Sequence, residues 1–80
     1  MHYVYFLRNQ NRKYYVGITD NIQRRLQQHN AGQNKSTQTG RPWEVVRIEE
    51  FPTLSEARQR ESAIKAKKSK KIIEKYILGT

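Results

Sequence analysis

Two runs of aromatic and β-branched residues, His2 to Leu7 and Lys13 to Ile18, stand five polar residues apart near the start of the chain. Such residues suit a pleated, half-buried surface, and strand alternation puts Tyr3, Tyr5 and Leu7 on one face. The connection Arg8-Asn9-Gln10-Asn11-Arg12 has the Asn-rich chemistry of a turn, so the runs are expected to pair antiparallel, the second closing at Gly17. An isolated hairpin is barely stable in water, so the remainder of the chain must cover this one.

The pattern after Gly17 predicts that cover. Asp20 with Gln23 resembles a capping box, and Ile22, Leu26 and His29 then fall on one helical stripe with Arg25 alongside, up to a stop at Gly32. Residues 33 to 41 are polar and hydroxyl-rich and read as a loop, after which Pro42 to Ile48 alternates into a third strand that runs on to Phe51. Pro52 ends it. Thr53-Leu54-Ser55-Glu56 caps a helix reaching about Lys67 with Ala57, Glu61 and Ile64 inward, and Ser69 caps a last helix carrying Ile72, Ile73, Tyr76 and Ile77. The expected class is α+β: a small antiparallel three-stranded sheet covered by helices, in the order β-β-α-β-α-α. A chain of 80 residues buries only about 60% of its unfolded surface, so residues 1–80 are expected to form one domain around one thin core.

Sixteen Lys and Arg against seven Asp and Glu give a net charge of +9. On so small a body that produces a positive field over much of the surface, and polyanions are the natural partners. Nucleic acid is therefore expected, bound more weakly as salt rises because phosphate neutralisation releases counterions. The run Lys65-Ala66-Lys67-Lys68-Ser69-Lys70-Lys71 reads either as a solvated face or as a track for a phosphate backbone. The absence of cysteine excludes disulfides and thiolate zinc sites and fits a reducing cytoplasm. No apolar run approaches the roughly 20 residues that span a bilayer, so no membrane partner is expected.

Three features ask for more than a structural account. Glu61 sits between Ala57 and Ile64 on the face that meets the sheet, where an unpaired carboxylate is costly; it needs a cation, either Lys65 at i+4, an arginine of the first helix, or a metal ion. Arg25 and His29 lie one turn apart, a cationic fork beside an imidazole that suits a phosphodiester, although an exposed arginine and a half-buried ring would produce the same pattern. Of five tyrosines, Tyr3, Tyr5, Tyr14 and Tyr15 lie on the hairpin. Tyr15 points to the opposite face from Tyr14. Cross-strand packing accounts for most of them, and at least one phenol is a candidate for chemistry.

Taken in order, these residues resemble the GIY-YIG nuclease family. Tyr3-Val4-Tyr5 stands where that family has Gly-Ile-Tyr, and Tyr15-Val16-Gly17 stands where it has Tyr-Ile-Gly. Ile18 to His29 is similar to the next block, with Arg25 at the arginine and His29 at the His or Tyr position, and Glu61 matches the single metal-binding glutamate. The likeness is greatest to the small bacterial single-domain members, around Lys35-Ser36-Thr37 and Arg41-Pro42-Trp43, and extends to the N-terminal nuclease domain of the bacterial excision-repair nuclease. Tyr3 departs from the family glycine, and the late asparagine has no counterpart near Ile73 and Tyr76.

The resemblance implies a divalent-metal-dependent endonuclease. Glu61 would hold magnesium, with manganese able to substitute; Tyr5 would take a proton from the attacking water, Tyr15 orient that water and Arg25 clamp the phosphate. Arg25 is also expected to bring the Tyr5 phenol down from its free pKa of about 10. His29 would either assist the base or hold the phosphate. Lys35, Arg41, Lys65, Lys67, Lys68, Lys70 and Lys71 would grip flanking phosphates without reading bases. DNA is expected ahead of RNA, with no obligate protein partner. The alternative is a non-catalytic basic nucleic-acid-binding module with a degenerate site, which the replacement of glycine by Tyr3 favours.

Overall fold

The computed structural model describes residues 1–33, 35–67 and 70–78, the side chains at 36, 70 and 76–78 excepted. Strands β1 (His2–Arg8) and β2 (Tyr14–Thr19) precede helix α1 (Ile22–Asn30) and a short 3-10 turn (Lys35–Thr37); strand β3 (Glu44–Phe51) and helices α2 (Leu54–Lys67) and α3 (Lys70–Leu78) follow. The order is the one the sequence predicts. The three strands form one sheet, β2-β1-β3, antiparallel throughout.

The central position of β1 follows from its burial: Val4, Tyr5, Phe6 and Leu7 are all 2% exposed or less. A strand that is apolar on both faces has to be covered on both. Val4 and Phe6 join Val16, Ala57 and Ile64 in one cluster, against which Ile18, Val46, Phe51 and Ile73 also pack, so α2 and α3 lie on that side. Tyr5, Leu7 and Trp43 form the other cluster with Tyr15, Ile22, Leu26 and Val45, which puts α1 on the opposite side. Register explains the sorting: Tyr5 pairs with Gly17 and Ile48, and Leu7 pairs with Tyr15 and Val45 across a bulge between Phe6 and Leu7. Tyr14 faces the other way, its hydroxyl donating to Glu74 of α3 at 3.3 Å. Tyr3 lies in regular register between Thr19 and Glu50, where the strand makes no demand for glycine.

The caps hold the helices as expected at two of the three termini that can be described. Thr53 Oγ1 accepts from the Glu56 amide at 3.2 Å. At the end of α1, Gly32 (φ +81°) follows the C-cap Ala31, and its amide and that of Gln33 donate to the His29 and Gln28 carbonyls, so the last turn closes as a Schellman motif. The start of α1 differs. Its N-cap is Asn21, whose side chain accepts from the Arg24 amide at 3.0 Å, while Asp20 pairs with the Arg24 guanidinium at 3.0 Å. Thr19 decides between the two, because its hydroxyl accepts from the Asn21 amide and turns the chain one residue later than the Asp20–Gln23 spacing suggests. Lys68 and the expected cap Ser69 lie outside the described residues.

Two strand limits also move. Gly17 is not the end of β2 but an interior residue paired with Tyr5. Strand β3 begins at Glu44 rather than Pro42, because Trp43 is anchored elsewhere: its amide donates to Asn30 Oδ1 at 2.7 Å and its carbonyl accepts from Asn30 Nδ2 at 3.1 Å. On the far edge Glu49 accepts from Arg60 Nε at 2.7 Å and pairs with Arg47 at 3.0 Å, tying α2 to β3. No helix among the described residues is long and apolar enough to cross a membrane.

Candidate active site

The α1-facing side of the sheet gathers the polar residues that the apolar cluster does not absorb. Tyr5 is 2% exposed, and its phenol lies across the backbone of Gly17. A Cβ built on residue 17 would stand 2.5 Å from Tyr5 Oη and 2.6 Å from Cζ. Real Cβ atoms do not approach so closely, so the missing side chain at 17 is what lets the phenol lie where it does.

Helix α1 brings two residues to that oxygen. Arg25 Nε donates to Tyr5 Oη at 3.2 Å, and Arg25 Nη1 donates to Gln28 Oε1 at 3.0 Å. His29, one turn further, is fully buried; its Nε2 lies 2.8 Å from Tyr5 Oη and its Nδ1 lies 2.6 Å from Thr37 Oγ1. Tyr15, opposite Leu7 on the edge strand, completes an aromatic group: its ring centre is 6.3 Å from that of Tyr5 and 4.9 Å from that of His29, the latter edge-on.

From α2, Lys65 Nζ stands 5.7 Å from the Tyr15 ring centre and 3.5 Å from Glu61 Oε2. Although α2 covers the other face of the sheet, Glu61 thus comes near Tyr15 through Lys65, and its charge contributes to raising the Tyr5 pKa. The four residues Tyr5, Tyr15, Arg25 and His29 share direct contacts, and Glu61 joins them through Lys65.

Burial sets the protonation states. It pushes the Tyr5 phenol up to about 12, and the hydrogen bond and charge of Arg25, which act the other way, do not offset it. This corrects the expectation that Arg25 brings the phenol below its free value: the side chain is too deeply enclosed for one partly exposed guanidinium to prevail. Burial lowers His29 from 6.5 to about 4, and the charge of Arg25 adds to this. The hydrogen bond to Tyr5 holds Arg25 above its ordinary value. At neutral pH the site therefore holds a neutral phenol, a neutral imidazole and a guanidinium.

Three residues that build the site have no role legible in the sequence, although Thr37 and Trp43 fall in the stretches that carry the family likeness. Thr37 is fully buried under the 3-10 turn, yet nothing distinguishes it from the other hydroxyl residues of its loop. Trp43 Nε1 donates to the Thr37 carbonyl at 2.8 Å, and Asn30 clamps Trp43 from the end of α1. The loop that brings Thr37 to His29 is in this way fastened to the helix that carries His29.

The basic residues expected to grip phosphate are more scattered. Lys35, Lys67 and Lys71 are exposed, and the Lys65 side chain is 52% exposed and paired with Glu61. Arg41 spends Nε on the Gln38 carbonyl at 2.9 Å and Nη1 on the Asn30 carbonyl at 3.4 Å, so it braces the loop. Lys68 and the Lys70 side chain lie outside the described residues.

Among the described residues no group of three or more His, Cys, Asp or Glu side chains is close enough to cage a metal ion. The Glu61 carboxylate, 23% exposed, instead fits a hard divalent ion held by one carboxylate with water and substrate oxygens filling the remaining positions.

The chain is similar to known proteins over most of its length. The family description "GIY-YIG catalytic domain" matches residues 1–76. The UPF0213 protein OB0043 of Oceanobacillus iheyensis is 43% identical over 65 residues, covering 80% of this chain and 76% of its own. The UPF0213 protein lwe0147 of Listeria welshimeri is 41% identical over 78 residues, covering 96% and 86%. Among solved structures, the solution NMR structure of the UPF0213 protein BH0048 from Bacillus halodurans superposes with a TM-score of 0.54 at 30% identity, covering 91% of this chain and 82% of that one. With the sheet order, the tyrosine hairpin and the Arg25–His29 helix already in place, these matches mean that the chain belongs to the GIY-YIG family, alongside its small UPF0213 members.

Proposed function

We propose that this chain is a divalent-metal-dependent endonuclease that hydrolyses phosphodiester bonds, in DNA rather than RNA, with residues 1–80 acting as one nuclease domain. The observation that carries the reading is the single oxygen of Tyr5, which meets Arg25 at 3.2 Å and His29 at 2.8 Å. Tyr5 and His29 satisfy one another's buried polar atoms, and the cation of Arg25 on the same oxygen adds more than that pairing requires. The three together form the arrangement that proton transfer next to a phosphate needs.

Hydrolysis joins a water oxygen to phosphorus and breaks the bond to the leaving oxygen. As the water attacks, its proton passes to Tyr5 Oη while the phenol proton passes to His29, so a phenol that remains neutral at rest never has to accumulate as phenolate. Arg25 neutralises charge on the non-bridging oxygens with its remaining guanidinium donors, and Tyr15 orients the water. Burial is the main cause of the lowered His29 pKa; a phosphate paired with Arg25 would relieve the smaller, repulsive contribution and so make the imidazole a somewhat better acceptor. Glu61 would hold the magnesium or manganese ion, which when bound supplies charge neutralisation at the phosphate. Lys65 pairs with Glu61 at 3.5 Å and would release that carboxylate on binding a substrate phosphate.

The test is cleavage of supercoiled plasmid, branched DNA and RNA with and without magnesium. The expected outcome is magnesium-dependent cutting of DNA that Glu61→Gln abolishes while salt-sensitive DNA binding persists. Cutting by a clean Glu61→Gln preparation at the parent rate would refute the metal assignment. A second reading, a basic module that binds without cutting, is favoured by the high Tyr5 pKa; metal-independent binding with no cleavage of any substrate supports it.

A further inference from the structure

Thr37, in the 3-10 turn, has a completely enclosed side chain, and its Oγ1 lies 2.6 Å from His29 Nδ1. Which of the two donates can be read from the other end of the imidazole. A guanidinium has no acceptor, so in the Arg25–Tyr5 contact Arg25 Nε gives its proton and the phenol oxygen receives it. The phenol then has its own proton to place, and His29 Nε2 is 2.8 Å away. If Nε2 accepts, a neutral imidazole must carry its hydrogen on Nδ1, and that hydrogen points at Thr37 Oγ1. With that tautomer the donations run one way, from Arg25 to Tyr5 to His29 to Thr37.

We infer that Thr37 is a positioning residue: its hydroxyl oxygen fixes His29 as the Nδ1-protonated tautomer, which leaves Nε2 open to accept the proton of Tyr5. The inference rests on the proposed role of Tyr5 in taking the proton of the attacking water. During the reaction an O–H bond of water breaks as its oxygen bonds to phosphorus. That proton goes to Tyr5, the Tyr5 proton goes to His29 Nε2, and the imidazolium keeps its Nδ1–H on Thr37. The electron pair of the broken phosphorus–oxygen bond stays with the leaving oxygen, which takes a proton from solvent, and His29 later returns its proton to solvent. With the opposite tautomer, Nε2–H would donate to Tyr5, and the imidazole would have no lone pair facing the phenol.

The loop is built to hold Thr37 in this position. Its carbonyl accepts from Trp43 Nε1 at 2.8 Å, and Trp43 is in turn clamped by Asn30, one residue after His29. The hydroxyl and the imidazole therefore belong to one braced unit, although they come from a loop and a helix.

Long-range proton–nitrogen NMR correlations of the histidine rings test this directly on the full chain. The chain has two histidines, so His2→Gln leaves His29 alone in the spectrum. The Nδ1–H pattern is expected in that background, lost in Thr37→Val, which removes the hydroxyl at similar volume, and regained in Thr37→Ser. In parallel, Thr37→Val should lower kcat on the order of tenfold or more with KM and salt-dependent DNA binding unchanged, and Thr37→Ser should restore it. An Nε2–H pattern in the chain with Thr37 intact overturns the inference without need of any Thr37 variant, as does an Nδ1–H pattern that persists in Thr37→Val. A parent chain that cuts nothing, yet has an Nδ1–H pattern that Thr37→Val abolishes and Thr37→Ser restores, supports the positioning of His29 and counts against the nuclease reading.

Discussion

One absent carbon links the hairpin to its chemistry: Gly17 has no Cβ, and the Tyr5 phenol occupies that space. Gly17→Ala puts a methyl group 2.5 Å from the phenol oxygen, and a ring this buried has no free direction in which to retreat. The expected result is destabilisation by about 1–3 kcal/mol, as for other overpacked cores, together with a loss of cutting larger than the change in folded fraction accounts for. Urea denaturation and single-turnover cleavage on the same preparation check both; a stable, fully active Gly17→Ala chain would contradict the placement. At this scale the sequence is legible where alternation decides, which is why Tyr5 and Leu7 are expected on one face and Tyr15 opposite Tyr14; that Tyr5 and Tyr15 share a side follows from the register. It is not legible where enclosure decides. The proton affinity of Tyr5 depends on how completely α1 and the loop close over it, and that depth has no signature in residue spacing. Thr37 is hidden for the same reason, since a hydroxyl in a hydroxyl-rich loop looks solvent-facing until the loop is seen to fold inward.

The helices and strands are read correctly in kind and order because each carries its own period and its own stop, from the Gly32 turn to the Thr53 cap. Their limits slip where two neighbouring residues compete for one task. Asp20 and Asn21 are both good caps, and the hydrogen bond from the Asn21 amide to Thr19 selects the second. Trp43 reads as strand from its composition but is drawn out of β3 by Asn30. The stretch from the 3-10 turn to Trp43 thus acts as an element in its own right, pinned by the indole. Replacing Trp43 with Phe keeps an aromatic ring and leaves the Thr37 carbonyl without the indole donor that now reaches it at 2.8 Å. The expected loss is about 1–3 kcal/mol, the usual penalty for a buried group deprived of its partner, measured as a lower urea midpoint with an unchanged slope. An unaltered midpoint would mean that the turn is held by its other contacts.

For the whole molecule, the net charge of +9 and the helical cover of the sheet are legible from the sequence, whereas the dependence of the fold on pH emerges only from packing. His29 is lowered from 6.5 to about 4 by burial, so between those values the unfolded chain binds a proton that the folded chain refuses. Stability is therefore full above about pH 6.5 and falls as pH drops toward 4, with a slope approaching about 1.4 kcal/mol per pH unit. Glu49, held below the usual carboxylate range first by its hydrogen bond to Arg60, acts in the same direction: its contribution is present above the unfolded carboxylate value and is lost as acidification protonates it. Urea titrations at pH 7, 5.5 and 4.5 should give successively lower midpoints, and a constant midpoint would contradict the enclosure of His29. All of the proposed chemistry passes through the oxygen of Tyr5, and Tyr5→Phe removes that atom while keeping the ring that packs with Leu7 and Trp43. In single-turnover cleavage of a DNA duplex with magnesium, at protein concentrations that bind all the substrate, Tyr5→Phe is predicted to cut on the order of 100-fold more slowly or worse with unchanged binding. A Tyr5→Phe chain that cuts at the parent rate contradicts it.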